Sequence, residues 1–375
     1  MNNTINTNNI ISTDEAINII ETSVKNLIAN PSDAESAPAI LLRGAPGVGK
    51  SSIVKGVAKK LGIGFVDIRL AQMERVDLCG LPSTADGTTV WNVPEIWPRD
   101  PNSKGIIFFD EITAAPSDVQ VSAYQIVLDR AISNSKYRLP DGWYIIAAGN
   151  RKEDKSVAKT MSAALANRFM HFDILPNTED WCVWAAQNDI HPSITGYIRY
   201  RPQNLFRMDG QNVEQGWPSP RSWERVSSRI PLFSSNEEVL RKVVYGLIGP
   251  SVGTEFMEFH RIQKNFDDVL ELLTNPKKEV VIPKENDRKY ALASAVSYLV
   301  WNGKNEEDIK TRIEGMYRIA MKFTPDFATM MIKTTMIGNS KINRLQASSM
   351  IVSSPSYSEF AKKFGAHFGK TFNLK

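Results

Sequence analysis

One nine-residue stretch limits what this chain can fold into more than any other: Gly44-Ala45-Pro46-Gly47-Val48-Gly49-Lys50-Ser51-Ser52. Before it, Ala39–Arg43 (AILLR) has the unbroken apolar run of a strand buried on both faces. After it, from about Ser51 to Leu61, the pattern is helical. A strand that enters a helix through G-x-x-x-x-G-K-S predicts a phosphate-binding loop. The glycines let backbone N–H groups curl round a phosphate chain, and the following helix N-terminus favours negative charge. Lys50 is placed to reach the β- and γ-phosphates of a nucleotide, and Ser51 to ligate Mg²⁺. A chance glycine turn is the alternative, and the strand and helix on either side argue against it.

The same alternation continues downstream. Gly64–Arg69, Gly105–Phe109, Trp143–Gly149 and Met170–Leu175 read as strands, with a helix over Val119–Asp129. Upstream, Thr13 is expected to cap a helix whose first turn holds Asp14 and Glu15. Strands alternating with helices predict an α/β fold with a parallel sheet covered on both faces. After Pro176 the strand signal fades. Thr178–Gln187, Pro192–Tyr200, Pro220–Ile230, Asn236–Ile248, Lys289–Trp301, Glu306–Lys322, Pro325–Ile337 and Ser358–Phe368 read as helices. The expected organisation is a disordered tail over 1–9 and an α/β nucleotide-binding domain over 10–176. A helical lid over 177–275 and a helical C-terminal extension over 276–375 follow.

Two further strand ends carry polar groups suited to phosphate chemistry. Ile106–Glu111 (IIFFDE) is an apolar strand ending in two carboxylates. Beside a phosphate-binding loop, Asp110 is expected to hold Mg²⁺ through water and Glu111 to polarise the attacking water. Asn150 ends the strand that finishes AAGN, level with the acid pair if the two strands are neighbours. There it can hydrogen-bond the attacking water and sense the γ-phosphate; otherwise it merely caps a strand.

The order GAPGVGKS, FFDE, AAGN, ANRF, SPRSWE resembles the AAA+ ATPases, and most of all the MoxR-like branch of the dynein-related subfamily. The likeness runs from about Ile10 to Pro250. It includes Asp77–Pro98, with a turn expected at Asp86-Gly87, where that branch inserts a loop or hairpin into its second helix. It also includes Arg130–Pro140, placed like a hairpin before the fourth strand. The resemblance implies a P-loop NTPase core with ATP and Mg²⁺ as ligands, and site roles for Lys50, Ser51, Asp110, Glu111 and Asn150. It implies that Arg168 is an arginine finger reaching a neighbouring subunit's nucleotide, which can be worth about 10³–10⁵ in rate. Arg151 is the competing finger, and pairing with an acid such as Asp173 is the bland account of Arg168. Arg221, after the cap Ser219 and Pro220, takes the sensor 2 position; a solvated arginine is the plainer reading. The inserted segment either works near a ring's pore or is a long loop anchored by Leu81, Trp91 and Trp97. Trp217, Trp223 and the methionines of FATMMIKTTMI read as packing, and Arg225 as a surface residue.

A homo-oligomer follows from a trans arginine, and the resemblance implies a hexameric ring. It also implies a protein client, or a partner carrying a von Willebrand factor A domain, as the object of the work. Nucleic acid is the alternative target. Against it stands a net charge of only +4 over 375 residues, although Lys362, Lys363, Lys370 and Lys375 with interleaved phenylalanines could touch it. Cys79 and Cys182 show neither disulfide nor metal spacing, which favours a reducing compartment. The polar start MNNTINTNN is unlike a signal peptide, and no apolar run approaches the length of a membrane span. The expected location is cytoplasmic, with no membrane contact.

Overall fold

The computed structural model describes residues 9–132, 135–151, 154, 161, 163–208, 215–262 and 266–370. The predicted tail thus lies outside the described residues except for Asn9, as do residues 371–375 with Phe372 and Lys375 of the lysine–phenylalanine segment. The chain divides into two compact units, Met1–Asn177 and Thr178–Lys375.

In the first unit the elements run β1 (Ile10–Ile11), α1 (Thr13–Ala29), β2 (Ala39–Arg43), α2 (Lys50–Leu61), β3 (Gly64–Arg69), α3 (Arg75–Cys79), β4 (Leu81–Ala85) and β5 (Thr88–Asn92). They continue with β6 (Gly105–Asp110), α4 (Ser117–Asp129), β7 (Trp143–Gly149), α5 (Ala163–Ala166) and β8 (Phe169–Ile174). Among the described residues a six-stranded parallel sheet forms in the order β1-β8-β2-β7-β6-β3. Successive strand residues face opposite sides. Leu41, Ile107, Phe109, Ile145 and Ala147 therefore meet Trp97, Val119, Ala123 and Ile126 on one face. Ile40, Leu42, Ile106, Phe108 and Ile146 are equally buried on the other, where α1 and α2 pack. The α/β fold read from the sequence, a parallel sheet with helices on both faces, is thus present.

Two local expectations change. The cap of α1 is Ser12 rather than Thr13: Ser12 Oγ accepts from Glu15 N–H, and the Glu15 carboxylate accepts from Ser12 N–H. That reciprocal box satisfies two otherwise unpaired donors, which Thr13 inside the first turn could not do. Strand β1 was not foreseen, because two residues are too few to show a period. It pairs with β8 through Ile10↔Asp173 and Ile11↔Ile174.

The inserted segment is a two-stranded hairpin. Strands β4 and β5 pair antiparallel about Asp86-Gly87, whose φ angles of 48° and 71° are those of a type I′ turn. The two kinds of large side chain separate here. Trp97 is fully buried, with its indole N–H donated to Leu78 O at 2.9 Å, whereas Leu81 stands 61% exposed. Ala131 and Arg138 form an antiparallel bridge in the next hairpin segment; residues 133–134 there lie outside the described residues.

The second unit is helical: α6 (Thr178–Gln187), α7 (Pro192–Tyr200), α8 (Pro220–Phe233), α9 (Glu237–Ile248), α10 (Pro250–Ile262), α11 (Phe266–Thr274), α12 (Asn286–Val300), α13 (Glu306–Ala320), α14 (Pro325–Met336), α15 (Arg344–Val352) and α16 (Tyr357–Lys370). Helices α10, α11 and α15 were not read from the sequence. The first carries Gly253 within its run, and the third buries only Ala347 and Ile351. One apolar cluster gathers round Trp223, Tyr197 and Phe256, and a second round Met316, Tyr317, Met331 and Phe360. Small residues of α12 join them, with Ala291 in the first cluster and Ala293 and Val296 in the second.

Candidate active site

The loop after β2 begins by hydrogen bonding to the end of β7, Gly44 N–H donating to Gly149 O at 3.2 Å. Gly47 and Gly49 then adopt left-handed φ angles of 81° and 97°. A turn of that kind directs backbone N–H groups into a concavity, the form of an anion-binding nest. Ala45, Gly47 and Val48 are buried and Pro46 is half-buried along it; Ser52, the third residue of α2, faces solvent.

Lys50 opens α2 and is buried to 9% exposure. Its ammonium donates to Gly44 O at 2.6 Å, to Ala45 O at 3.1 Å and to Asn150 Oδ1 at 3.2 Å. Ser51 Oγ donates to Asp110 Oδ2 at 2.8 Å. Asp110 Oδ1 in turn accepts the N–H of Glu111 at 2.9 Å. Glu111 is exposed and holds a φ of 58°, a region that side-chain-bearing residues rarely enter and that concentrates at functional sites. On β3 the carboxyl of Asp67 is pushed up, first by partial desolvation and then by the nearby Asp110 carboxylate. The strand ends thus present a negative field that a cation would relieve.

The strand order explains why these groups converge. β7 lies between β2, which leads into the loop, and β6, which ends in Asp110. Asn150, just beyond β7, is therefore flanked by Lys50 on one side and the acid pair on the other. The neighbour relation that the reading of AAGN required is present in the register Phe109↔Ala147.

The sequence of residues 39–169 matches the AAA domain family, dynein-related subfamily. That stretch, from β2 to the first residue of β8, is the part of the chain that matches an AAA domain. Among curated proteins the chain is similar to midasin of Giardia intestinalis, 28% identical over 169 residues that are 42% of this chain and 4% of midasin. It is also similar to the peroxisomal ATPase PEX6 of Dictyostelium discoideum, 25% identical over 253 residues, 60% of this chain and 20% of that protein. It therefore spans only a small part of the length of these relatives. Among solved structures, a Thermotoga maritima RuvB point mutant aligns over 76% of this chain and 84% of its own, at 16% identity and a TM-score of 0.35.

The two arginines weighed as fingers, Arg151 and Arg168, differ in their surroundings. Arg151 is held at home: its guanidinium pairs with both oxygens of Asp154, at 3.1 and 2.7 Å, and the two side chains are nearly buried. Arg168, after α5, is exposed, and no hydrogen bond or ion pair among the described residues engages its guanidinium. Asp173, the acid weighed as its partner, is occupied by Arg43 through two bonds of 2.8 and 3.2 Å. Arg221 stands exposed in the first turn of α8 within the second unit, where Ser219 Oγ caps the helix by accepting from Ser222 N–H at 3.1 Å. Trp223 and Trp217 pack inside that unit, against Tyr197, Phe256 and Phe206. Two contributors escaped the sequence reading. Arg43 and Asp173 are register partners on β2 and β8, and Thr113 bonds Asn150 from the segment after Glu111. Both depend on strand order; the only local signal was a polar residue next to a motif.

Proposed function

We propose that this chain is an AAA ATPase, a MoxR-like, Mg²⁺-dependent machine that assembles into a ring, a hexamer, and couples ATP hydrolysis to remodelling a protein partner in the cytoplasm. The observation that carries the reading is the convergence of Ser51 with Asp110, and of Lys50 with Asn150, at the mouth of one glycine loop. A hydroxyl and a carboxylate 2.8 Å apart are the hard oxygen donors Mg²⁺ prefers, so the residues present fit the ion. Mg²⁺ bound there supplies charge neutralisation for the transferring phosphoryl group. Lys50 moves its ammonium from loop carbonyls to phosphate oxygens, which are stronger acceptors. Glu111 takes the attacking water's proton, and Asn150 orients that water.

The open guanidinium of Arg168 supports completion of this site by a second copy of the chain, while the pairing of Arg151 with Asp154 weighs against that competitor. Mixing Arg168→Ala with Glu111→Gln protein tests it. In a shared site an intact Glu111 from one copy meets an intact Arg168 from the next, so hydrolysis should reappear on mixing. No recovery at any ratio would remove the ring from the proposal. Arg221 is proposed to sense the γ-phosphate from the helical unit.

The client is proposed to be a protein, with von Willebrand factor A-domain proteins the class that the family resemblance implies. Glu111→Gln loaded with Mg²⁺-ATP should hold a discrete protein that Lys50→Ala releases. Nuclease-sensitive DNA or RNA in its place would turn the assignment to a nucleic-acid motor.

A further inference from the structure

We infer that Thr113 is a positioning residue for hydrolysis: its hydroxyl clamps Asn150 to the segment that carries Glu111, holding the two groups that face the attacking water in one fixed relation. The inference rests on the roles proposed above for Glu111 and Asn150.

Thr113 lies two residues beyond Glu111 and is 8% exposed. Its Oγ1 accepts the N–H of Asn150 at 3.0 Å, and its O–H donates to Asn150 C=O at 3.3 Å. One atom thus satisfies both backbone groups of the residue whose side chain meets Lys50. Among small side chains only a hydroxyl can accept and donate well from one position. A second bond runs in parallel, Ile112 N–H to Ala148 O at 2.9 Å, so consecutive residues after Glu111 are tied to the end of β7. The two segments touch without slack. A Cβ on Gly149 would stand 2.6 Å from Thr113 Cγ2 and 2.8 Å from its Oγ1, which explains why that strand ends in glycine.

The clamp also accounts for the backbone of Glu111. A glutamate at φ 58° persists only where its surroundings over-determine it. Here Asp110 accepts its N–H at 2.9 Å, Ala114 N–H donates to its carbonyl at 2.9 Å, and the intervening residues are fastened to β7. Without the hydroxyl, Asn150 N–H and C=O lose their partner in a half-buried place, and the end of β7 can shift relative to Glu111. Lys50 keeps its bonds to Gly44 O and Ala45 O, and Ser51 its bond to Asp110, so nucleotide binding changes little. The effect belongs to the chemical step.

Thr113→Val, which keeps the shape and removes the hydroxyl, and Thr113→Ser, which keeps the hydroxyl, separate positioning from packing. Steady-state hydrolysis gives kcat; titration with a non-hydrolysable ATP analogue gives affinity; Glu111→Gln is the reference. T113V should lose about 10–100-fold in kcat with affinity within about twofold, and T113S should stay within about threefold of the parent chain. Should T113V fail to fold, Thr113→Cys, nearly isosteric with the serine and a far weaker hydrogen-bonding group, takes its place with the same expectation. Hydrolysis by T113V near the parent rate while E111Q is inactive would overturn the inference and leave the Glu111 role standing. Equal impairment of T113S and T113V, or a loss confined to affinity, would overturn it too, as mere structural support. An E111Q chain as active as the parent would remove the underlying reading and this inference with it.

Discussion

Ser51 and Asp110 stand 59 positions apart in the chain and 2.8 Å apart in the fold. Removing the hydroxyl by Ser51→Ala should leave the fold intact and lower Mg²⁺-dependent hydrolysis by about 100-fold, since one metal-directed oxygen is lost where charge develops. Steady-state ATPase assays across a Mg²⁺ titration check this, with a raised Mg²⁺ requirement expected. Asp173 offers a contrasting case, because its bonds to Arg43 join two strands rather than serve phosphate. Arg43 is one-third exposed, so much of the pairing is screened. Asp173→Ala should cost only about 1 kcal/mol in urea unfolding, with hydrolysis kept. At this scale the motif residues were legible because each announces itself locally: glycines before a lysine, acids after an apolar run. Thr113 and Asp173 were not, since each acts through a partner brought by another strand.

The β4–β5 hairpin is the element most separable from the fold. All of its strand residues are exposed except the half-buried Trp91, and its base is held by Trp97 against Leu78. The backbone leaving α3 is tightly fitted at Gly80, where an added Cβ would fall 1.9 Å from Asn92 O, so an excision must spare Gly80 and Asn92. Replacing residues 82–91 with a short Gly-Ser turn should shift the thermal midpoint by no more than about 2 °C and keep basal hydrolysis within about twofold. Stimulation by a protein client should disappear if this hairpin delivers the work. The turn was readable, because Asp-Gly suits two consecutive left-handed residues. Two of the unforeseen helices were not, because α10 carries a glycine in its first turns and α15 shows almost no apolar face. For α15, packing rather than periodicity makes the segment helical.

For the molecule as a whole, stability against acid should be set in part by a histidine pair in the second unit. His191 Nδ1 accepts from Ser193 N–H at 3.2 Å and from the Ser193 hydroxyl at 2.7 Å, and His260 Nδ1 lies 3.0 Å from the same oxygen. Burial, aided by His260, pushes the His191 pKa down from 6.5 to about 3. The unfolded chain therefore binds more protons between those values, so stability is present above pH 6.5 and falls as the pH drops toward 3. The loss is up to about 1.4 kcal/mol per pH unit. Urea unfolding followed by tryptophan fluorescence between pH 7.5 and 4.5 checks this, and His191→Asn should flatten the slope. Charge and composition anticipated none of it, for the ring of His191 meets His260 only once α7 and α10 have packed. By itself the sequence determined the strand–glycine loop–helix, the acid pair and the alternation of a parallel sheet, because those depend on neighbours within a few residues. The tertiary structure alone decided that β7 lies between β2 and β6, and so that Lys50 meets Asn150, Thr113 clamps it and Arg43 takes Asp173. Strand order is settled by which buried faces and crossovers pack together over the whole sheet, and no local pattern carries that information.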